Sequence, residues 1–152
     1  DIYIDTSGFS VNQLKKQLDG FFSKNSKTKL SLRIISFGYK YGLPREADIV
    51  FDMRFIKNPF YVKELSKLNG ENKKVVDFIK KQKNFNFFFE TIENFFDKIL
   101  KGFKEEGKNY ITVAFGCTGG MHRSVVSAIH LYSLLKKENK FEMYLDHRDI
   151  KK

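Results

Sequence analysis

The chain has 152 residues, 41% of them apolar and 17 of them Phe, which makes one domain with material for a real core. No apolar run reaches membrane-spanning length, and a single cysteine excludes an internal disulfide framework and a cysteine-rich zinc site. Lys plus Arg number 28 against 18 for Asp plus Glu, a net charge of +10 that attracts polyanions but also serves simply to keep a domain dissolved. With no basic-then-apolar secretory layout in the first residues, a cytoplasmic protein without a membrane partner is expected.

Residues 1–7 read as an extended segment in which Ile2 and Ile4 alternate with polar neighbours. Ser10 suits the cap of a helix carrying Val11, Leu14, Leu18 and Phe21 or Phe22 at helical spacing. Residues 29–37 form the first strong strand, with Leu30, Leu32, Ile34 and Ile35, and end in a loop punctuated by Gly38, Gly42 and Pro44. Residues 47–53 contain Ile49-Val50-Phe51, a short run that fits a second, buried strand, and Asn58-Pro59 then signals a turn. Val75, Val76, Phe78 and Ile79 predict one helix. Phe85, Phe88, Ile92, Phe95, Phe96, Ile99 and Leu100 predict a longer one whose stripe is read as core. A strand over 110–115, a helix over 124–137 and a last strand around 141–145 complete the series. Strands alternating with helices predict a single layered α/β domain with a small, mostly parallel sheet flanked by helices. Ligands of such sheets gather beyond the carboxyl ends of the strands, so the loops after Phe37, Met53 and Phe115 are expected to converge there.

The segment from Gly116 to Ser124, Gly-Cys-Thr-Gly-Gly-Met-His-Arg-Ser, breaks a strand into a glycine-rich turn and restarts it as a helix. Free backbone N–H groups and a helix N-terminus then meet at one point, a ready anion site to which Arg123 and His122 add donors. Gly119 and Gly120 let the backbone approach an oxyanion, Thr118 and Ser124 offer hydroxyls, and Arg123 can make a forked, charge-assisted pair. The loop lacks the Gly-Lys-Ser/Thr ending of a Walker A motif, so an NTPase reaction is not expected from it.

Cys117, five residues, Arg123 and Ser124 also resemble the active-site loop of cysteine-dependent phosphatases, where a thiolate attacks phosphorus. Gly116 stands where that pattern has His, and a general acid would have to come from another loop, with Asp48, Asp52 and Asp146 as candidates. Cys117 as a small buried space-filler is the plainer alternative. Binding is weighted above phosphatase chemistry, no catalytic residue is assigned, and no appreciable phosphatase activity is expected. His130 is read as structural, and His147-Arg148 as a second, weaker ligand candidate.

Taken together, Ile4-Asp5-Thr6-Ser7, the run from Ser36 to Pro44 (Ser-Phe-Gly-Tyr-Lys-Tyr-Gly-Leu-Pro), Ala47-Asp48, Phe51-Asp52-Met53-Arg54-Phe55, Asn58-Pro59, the glycine loop through Val125, and His147-Arg148 resemble the C-terminal domain of RapZ/YvcJ proteins. The resemblance implies that residues 1–9 are a linker remnant from an N-terminal P-loop domain absent here, and that residues 10–152 are a domain that senses sugar phosphate and binds RNA. It implies a regulatory rather than enzymatic role. The expected ligand is a phosphorylated amino sugar such as glucosamine-6-phosphate, and the expected partners are a small regulatory RNA, an RNase and further copies of the chain. It implies no cofactor or metal for this domain, with ATP or GTP belonging to the absent one. On the same resemblance the phosphate loop maps to Cys117, Thr118, Gly119, Gly120, His122 and Arg123, while Lys40 and Tyr41 border the sugar. Tyr41 stands where some members have His, and Met121 where many have a polar residue.

Lys136, Lys137, Lys140, Lys151 and Lys152 cluster near the C-terminus in sequence, and Lys140, Lys151 and Lys152 are the candidates for contact with an RNA backbone. A solvated helix end and a frayed tail explain them equally well.

Overall fold

Two strands buried along their whole length organise the domain, Ser31–Gly38 and Tyr110–Cys117. The computed structural model describes residues 29–152, apart from Glu138 and the side chain of Asp97, together with Thr6, Val11, Leu14, Lys15 and Leu18. The extended segment expected at 1–7 and the Ser10 cap lie outside the described residues, Thr6 excepted, while Val11, Leu14 and Leu18 have the helical backbone their spacing predicts. In chain order the elements are β1 (Ser31–Gly38), β2 (Ile49–Asp52), α1 (Lys73–Lys80), α2 (Lys83–Glu105), β3 (Tyr110–Cys117), α3 (Arg123–Lys136) and β4 (Glu142–His147). Each predicted strand and helix from residue 29 onward is present, with boundaries shifted by a few residues, but β2, expected to be buried, lies at the sheet edge and alternates half-buried with exposed residues.

The sheet has the order β2-β3-β1-β4 and every neighbouring pair is parallel. A near-continuous apolar strand such as Leu32 to Phe37 needs cover on both faces, and a parallel sheet with crossover helices provides it. Registry brings the strand ends level. Gly38 lies opposite Cys117, Asp52 opposite Gly116, and His147 opposite Ser36. Four carboxyl-terminal loops therefore start from nearly the same height.

Helix α2 buries Phe85, Phe89, Ile92, Phe96 and Leu100, which recur at three- and four-residue steps. Phe51 of β2 sits in an aromatic nest, 5.5 Å from Phe115 and 5.4 Å from Phe88 between ring centroids. The stripe expected to be core is slightly too wide: Phe95 is 41% exposed, because it projects to the flank of the face occupied by Phe96. Helix α3 buries its whole first turn and a half, Arg123 through Ala128, and then only Leu131 and Leu135. Its N-terminus is thus embedded under the loop that precedes it.

His130 is structural, as its place on α3 predicted. Its ring lies edge-on to Phe85 and Phe89, with centroids 5.2 and 4.5 Å away. Burial, reinforced by the charges of Lys80 and Lys137, pushes its pKa down to about 4. The folded state then binds fewer protons than the unfolded chain between the ordinary histidine value and that figure. Stability conferred by a neutral His130 is complete above pH 6.5 and is lost as pH falls toward 4. Urea denaturation across this window should give a shallower pH dependence for His130→Gln than for wild type; equal slopes would show that His130 titrates normally.

Candidate anion-binding site

At the carboxyl edge of the sheet the loop after β1 and the loop after β3 cross glycine on glycine. A Cβ on Gly38 would come within 2.6 Å of the Gly119 carbonyl carbon, and one on Gly120 within 2.6 Å of the Gly38 nitrogen. Gly120 also has φ +74°, which L side chains rarely adopt. The crossing is tied by Lys40 N–H donating to the Thr118 carbonyl at 3.2 Å. Below it lies the fully buried Asp149. Its Oδ2 accepts from Gly38 N–H and from Arg148, both at 2.8 Å, and its Oδ1 lies 2.8 Å from Lys152 Nζ. Burial alone would push this carboxyl up, but the bonds from Arg148, Gly38 and Lys152 outweigh it and hold the pKa below its ordinary value.

The glycine loop wraps the cysteine. Cys117 Sγ is 3.2 Å from Ser124 Oγ. Burial pushes the thiol pKa up, but donation from the Ser124 hydroxyl and from the amides of Ser124, Gly120 and His122 brings it below the ordinary value. Arg123, 5% exposed, spans the site. Its Nη1 donates to the carbonyls of Ile56 at 3.0 Å and Arg54 at 3.2 Å, and its Nη2 to Thr118 Oγ1 at 3.3 Å. Arg123 Nε and His122 Nε2 are both buried without a hydrogen-bond partner among the described residues. Burial, with the charge of Arg123 beside it, lowers the His122 pKa, although the carbonyls of Leu68 and Leu65 oppose the shift. A buried nitrogen without a partner is uncommon and calls for a nearby cavity or ion to account for it.

Such a cavity is present, with a volume of about 360 Å³. Cys117, Thr118, Gly119, His122 and Arg123 form one side. Lys40, from the loop after β1, and Lys152, from the segment after β4, add two ammonium groups. Asn58, Phe60, Tyr61 and Ser66, from the segment after β2, form the remaining wall with Met121. Among the described residues no group of His, Cys, Asp and Glu side chains could hold a metal ion.

The sequence matches the family described as the RapZ C-terminal domain over residues 30–151. The chain belongs to that family. It is 44% identical over 148 residues to a nucleotide-binding protein of Caldanaerobacter subterraneus subsp. tengcongensis, covering 97% of this chain and 52% of that protein. A nucleotide-binding protein of Clostridium botulinum strain Eklund 17B is 39% identical over 152 residues, covering 99% and 51%, respectively. One from Endomicrobium trichonymphae is 43% identical over 152 residues, covering 99% and 53%. The chain therefore spans about half the length of the curated relatives it matches.

Within this RapZ C-terminal domain the expected convergence of three loops is present, and a fourth joins them through Lys152. Of the ligand residues expected from sequence, Lys40, Cys117, Thr118, Gly119, His122 and Arg123 line the cavity. Ser124 does not open onto it: fully buried, it holds the cysteine sulphur from behind. Gly120 makes the loop crossing, and Tyr41 sits at the rim, its ring 4.6 Å from Lys40 Nζ and 4.9 Å from Lys152 Nζ. His147 and Arg148 are engaged elsewhere, with Ser36 Oγ and with Gly42 and Asp149. The candidate general acids are also committed: Asp48 to Lys108 and the Thr112 amide, Asp52 to Arg54, and Asp146 to Arg33. None of them lines the cavity.

Lys140, Lys151 and Lys152, grouped by sequence as an RNA contact, do not share a surface. Lys140 precedes β4 and lines an open groove of about 660 Å³ with Lys98, Lys101 and Lys104 of α2. Lys152 lies past the other end of β4, a six-residue strand and so roughly 20 Å long. Asn58, Phe60, Tyr61, Ser66 and Asp149 were not picked out from sequence. Only the Asn58-Pro59 turn signal lay near any of them, because side chains on an irregular segment carry no periodicity.

Since the amides and Ser124 favour a sulphur anion, alkylation of Cys117 by iodoacetamide should reach half its plateau rate below the ordinary thiol pKa. Ser124→Ala should move that midpoint upward. Rate–pH profiles followed by intact mass test this, and coincident profiles at or above the ordinary value would mean that the loop holds a neutral thiol.

Proposed function

We propose that this RapZ C-terminal domain is a regulatory binding module for a phosphorylated amino sugar of the glucosamine-6-phosphate type. The carrying observation is a cavity that sets the glycine loop, Arg123 and the ammonium groups of Lys40 and Lys152 against an aromatic wall. The phosphate would take the glycine-loop side, where Arg123 Nε and the helix N-terminus offer positive charge. Phe60 and Tyr61, 59% and 85% exposed, give the sugar an apolar face to lie against, and Asn58 and Ser66 supply partners for hydroxyls. A cavity of about 360 Å³ falls at the small end of the range for metabolite sites.

The reading is of binding without turnover. The general-acid carboxylate that the cysteine-dependent phosphatase pattern calls for is not among the residues that line the cavity. Calorimetry with glucosamine-6-phosphate and with glucosamine tests the reading. The phosphate ester should bind and the free sugar should not, and Arg123→Ala should weaken binding by about 1.5–3 kcal/mol, the range of a charge-assisted hydrogen bond. Equal affinity for the two sugars would refute a phosphate-centred site.

A contribution to small-RNA binding, within an RNase-adaptor protein whose other half holds nucleotide, forms the second part of the proposal. Support comes from the net charge of +10 and from Lys98, Lys101, Lys104 and Lys140 around one groove. The three α2 lysines recur every third residue and so lie along one helix face. Replacing all four with Ala should flatten the log-affinity versus log-salt slope by about 3, weakening different RNAs alike. Replacing Lys151 and Lys152 should change the slope less, because Lys152 is already paired with Asp149. Filter-binding titrations at several salt concentrations measure both, and an unchanged slope in the fourfold variant would place RNA elsewhere.

A further inference from the structure

The cations of the cavity stand at two depths. Arg123 is at the floor beside the glycine loop, 5% exposed, and its terminal nitrogens bond the Arg54 and Ile56 carbonyls and Thr118. Lys40 and Lys152 are at the rim, both exposed, with their ammonium groups 4.6 and 4.9 Å from the centre of the Tyr41 ring. The negative face of that ring keeps the two cations close to each other. Lys152 Nζ is 2.8 Å from Asp149 Oδ1, but the same carboxylate also takes Arg148, so one negative charge faces two positive ones. Lys40 Nζ makes no ion pair among the described residues, its partner being the Tyr41 ring. No Asp or Glu is among the described residues that line the cavity, so nothing in its wall answers the positive charge of the rim.

A phosphate monoester held at the floor by the glycine loop leaves that rim charge unused. The ammonium of an amino sugar gains nothing from it, because like charges repel. A second anionic group on the ligand is drawn to it instead. We propose that Lys40 and Lys152 form a second anion subsite, through which sugar phosphates carrying another anionic group at their far end compete with glucosamine-6-phosphate for the cavity and bind more tightly. The inference rests on the phosphate-binding reading above and extends it to a class of competing ligand. Each ammonium is a compact charge with three donors on a flexible stem, and so serves a carboxylate or a phosphate alike. Glucosamine-6-phosphate fills the floor alone, whereas a doubly anionic sugar engages floor and rim together.

Glucose-6-phosphate and glucose-1,6-bisphosphate, which differ in the second phosphate alone, are the probes, and pyrophosphate supplies two anionic groups that adjoin. By calorimetry the bisphosphate should bind roughly tenfold tighter than the monophosphate, the gain of one added charge-assisted hydrogen bond. It should also displace glucosamine-6-phosphate. Lys40→Gln and Lys152→Gln should each shrink that preference, and the double variant should abolish it. The preference is a ratio of two affinities measured within one variant, so a general loosening of the fold leaves it unmoved. Equal affinities of wild type for the two glucose phosphates would overturn the proposal, as would a preference that survives the double variant. Pyrophosphate binding as tightly as the bisphosphate would also overturn it, since the lysines would then share the phosphate of the glycine loop. If glucosamine-6-phosphate binds and the bisphosphate is not preferred, the second subsite falls alone. If no phosphate ester binds, both readings fall.

Discussion

The arrangement of the site depends on one contact, the crossing of Gly38 over Gly119 and Gly120. Two chain segments approach there to within a distance that leaves no room for a Cβ on either Gly38 or Gly120. The carboxylate of Asp149 fixes the crossing from below, accepting Gly38 N–H while fully removed from solvent. A buried carboxylate is tolerable only with close partners, and Arg148 and Lys152 provide them at 2.8 Å. The Gly38 N–H bond to Asp149, with Arg148 Nη2 donating to the Gly42 carbonyl and the Tyr41 hydroxyl to the Lys152 carbonyl, holds the segment after β4 against the loop after β1. Lys152 and Lys40 thereby both come within 5 Å of the centre of the Tyr41 ring, 4.9 and 4.6 Å respectively, and both reach the cavity. Removing the carboxylate would leave one amide and two cations without their common partner.

Arg123 plays the corresponding role on the other flank. A charged side chain 5% exposed is costly unless its donors are used. Two carbonyls from the segment after β2 and one hydroxyl from the glycine loop take up its terminal nitrogens. This binds the β2 segment, and with it the wall that carries Phe60 and Tyr61, to the start of α3. The guanidinium is therefore both a strut and a source of positive charge, and its Nε–H and one Nη2–H are left over from these bonds.

The chemistry of the cavity follows from what its loops supply and what they withhold. A thiol surrounded by amide donors and a hydroxyl is pulled toward its anion even though burial resists this. The rest of the cavity is lined by Asn58, Phe60, Tyr61, Ser66, Met121 and two lysines, with no carboxylate among them.

Strand and helix positions from residue 29 onward were legible because each carries a period or a buried apolar run that physics reads locally. Ile34 and Ile35 must be covered, and Phe85, Ile92 and Phe96 must share a helix face. The glycine loop was legible for the same reason: a strand, a Gly-rich turn and a helix in succession dictate where backbone donors are exposed, whatever lies around them. Three properties were decided only by tertiary structure. Ser124 faces the sulphur and not the ligand because α3 is buried at its first turn. Lys140 joins Lys98, Lys101 and Lys104 around one groove, and Lys152 joins Lys40 at another cavity, because different segments pack at the two ends of β4. Asp149 becomes the keystone, and Phe60 and Tyr61 the cavity wall, only when four strands end at one level and bring distant segments together. Local pattern constrains what a segment becomes, whereas the partner of a lone charge or an irregular loop is set by contacts across more than a hundred residues, as with Gly38 and Asp149.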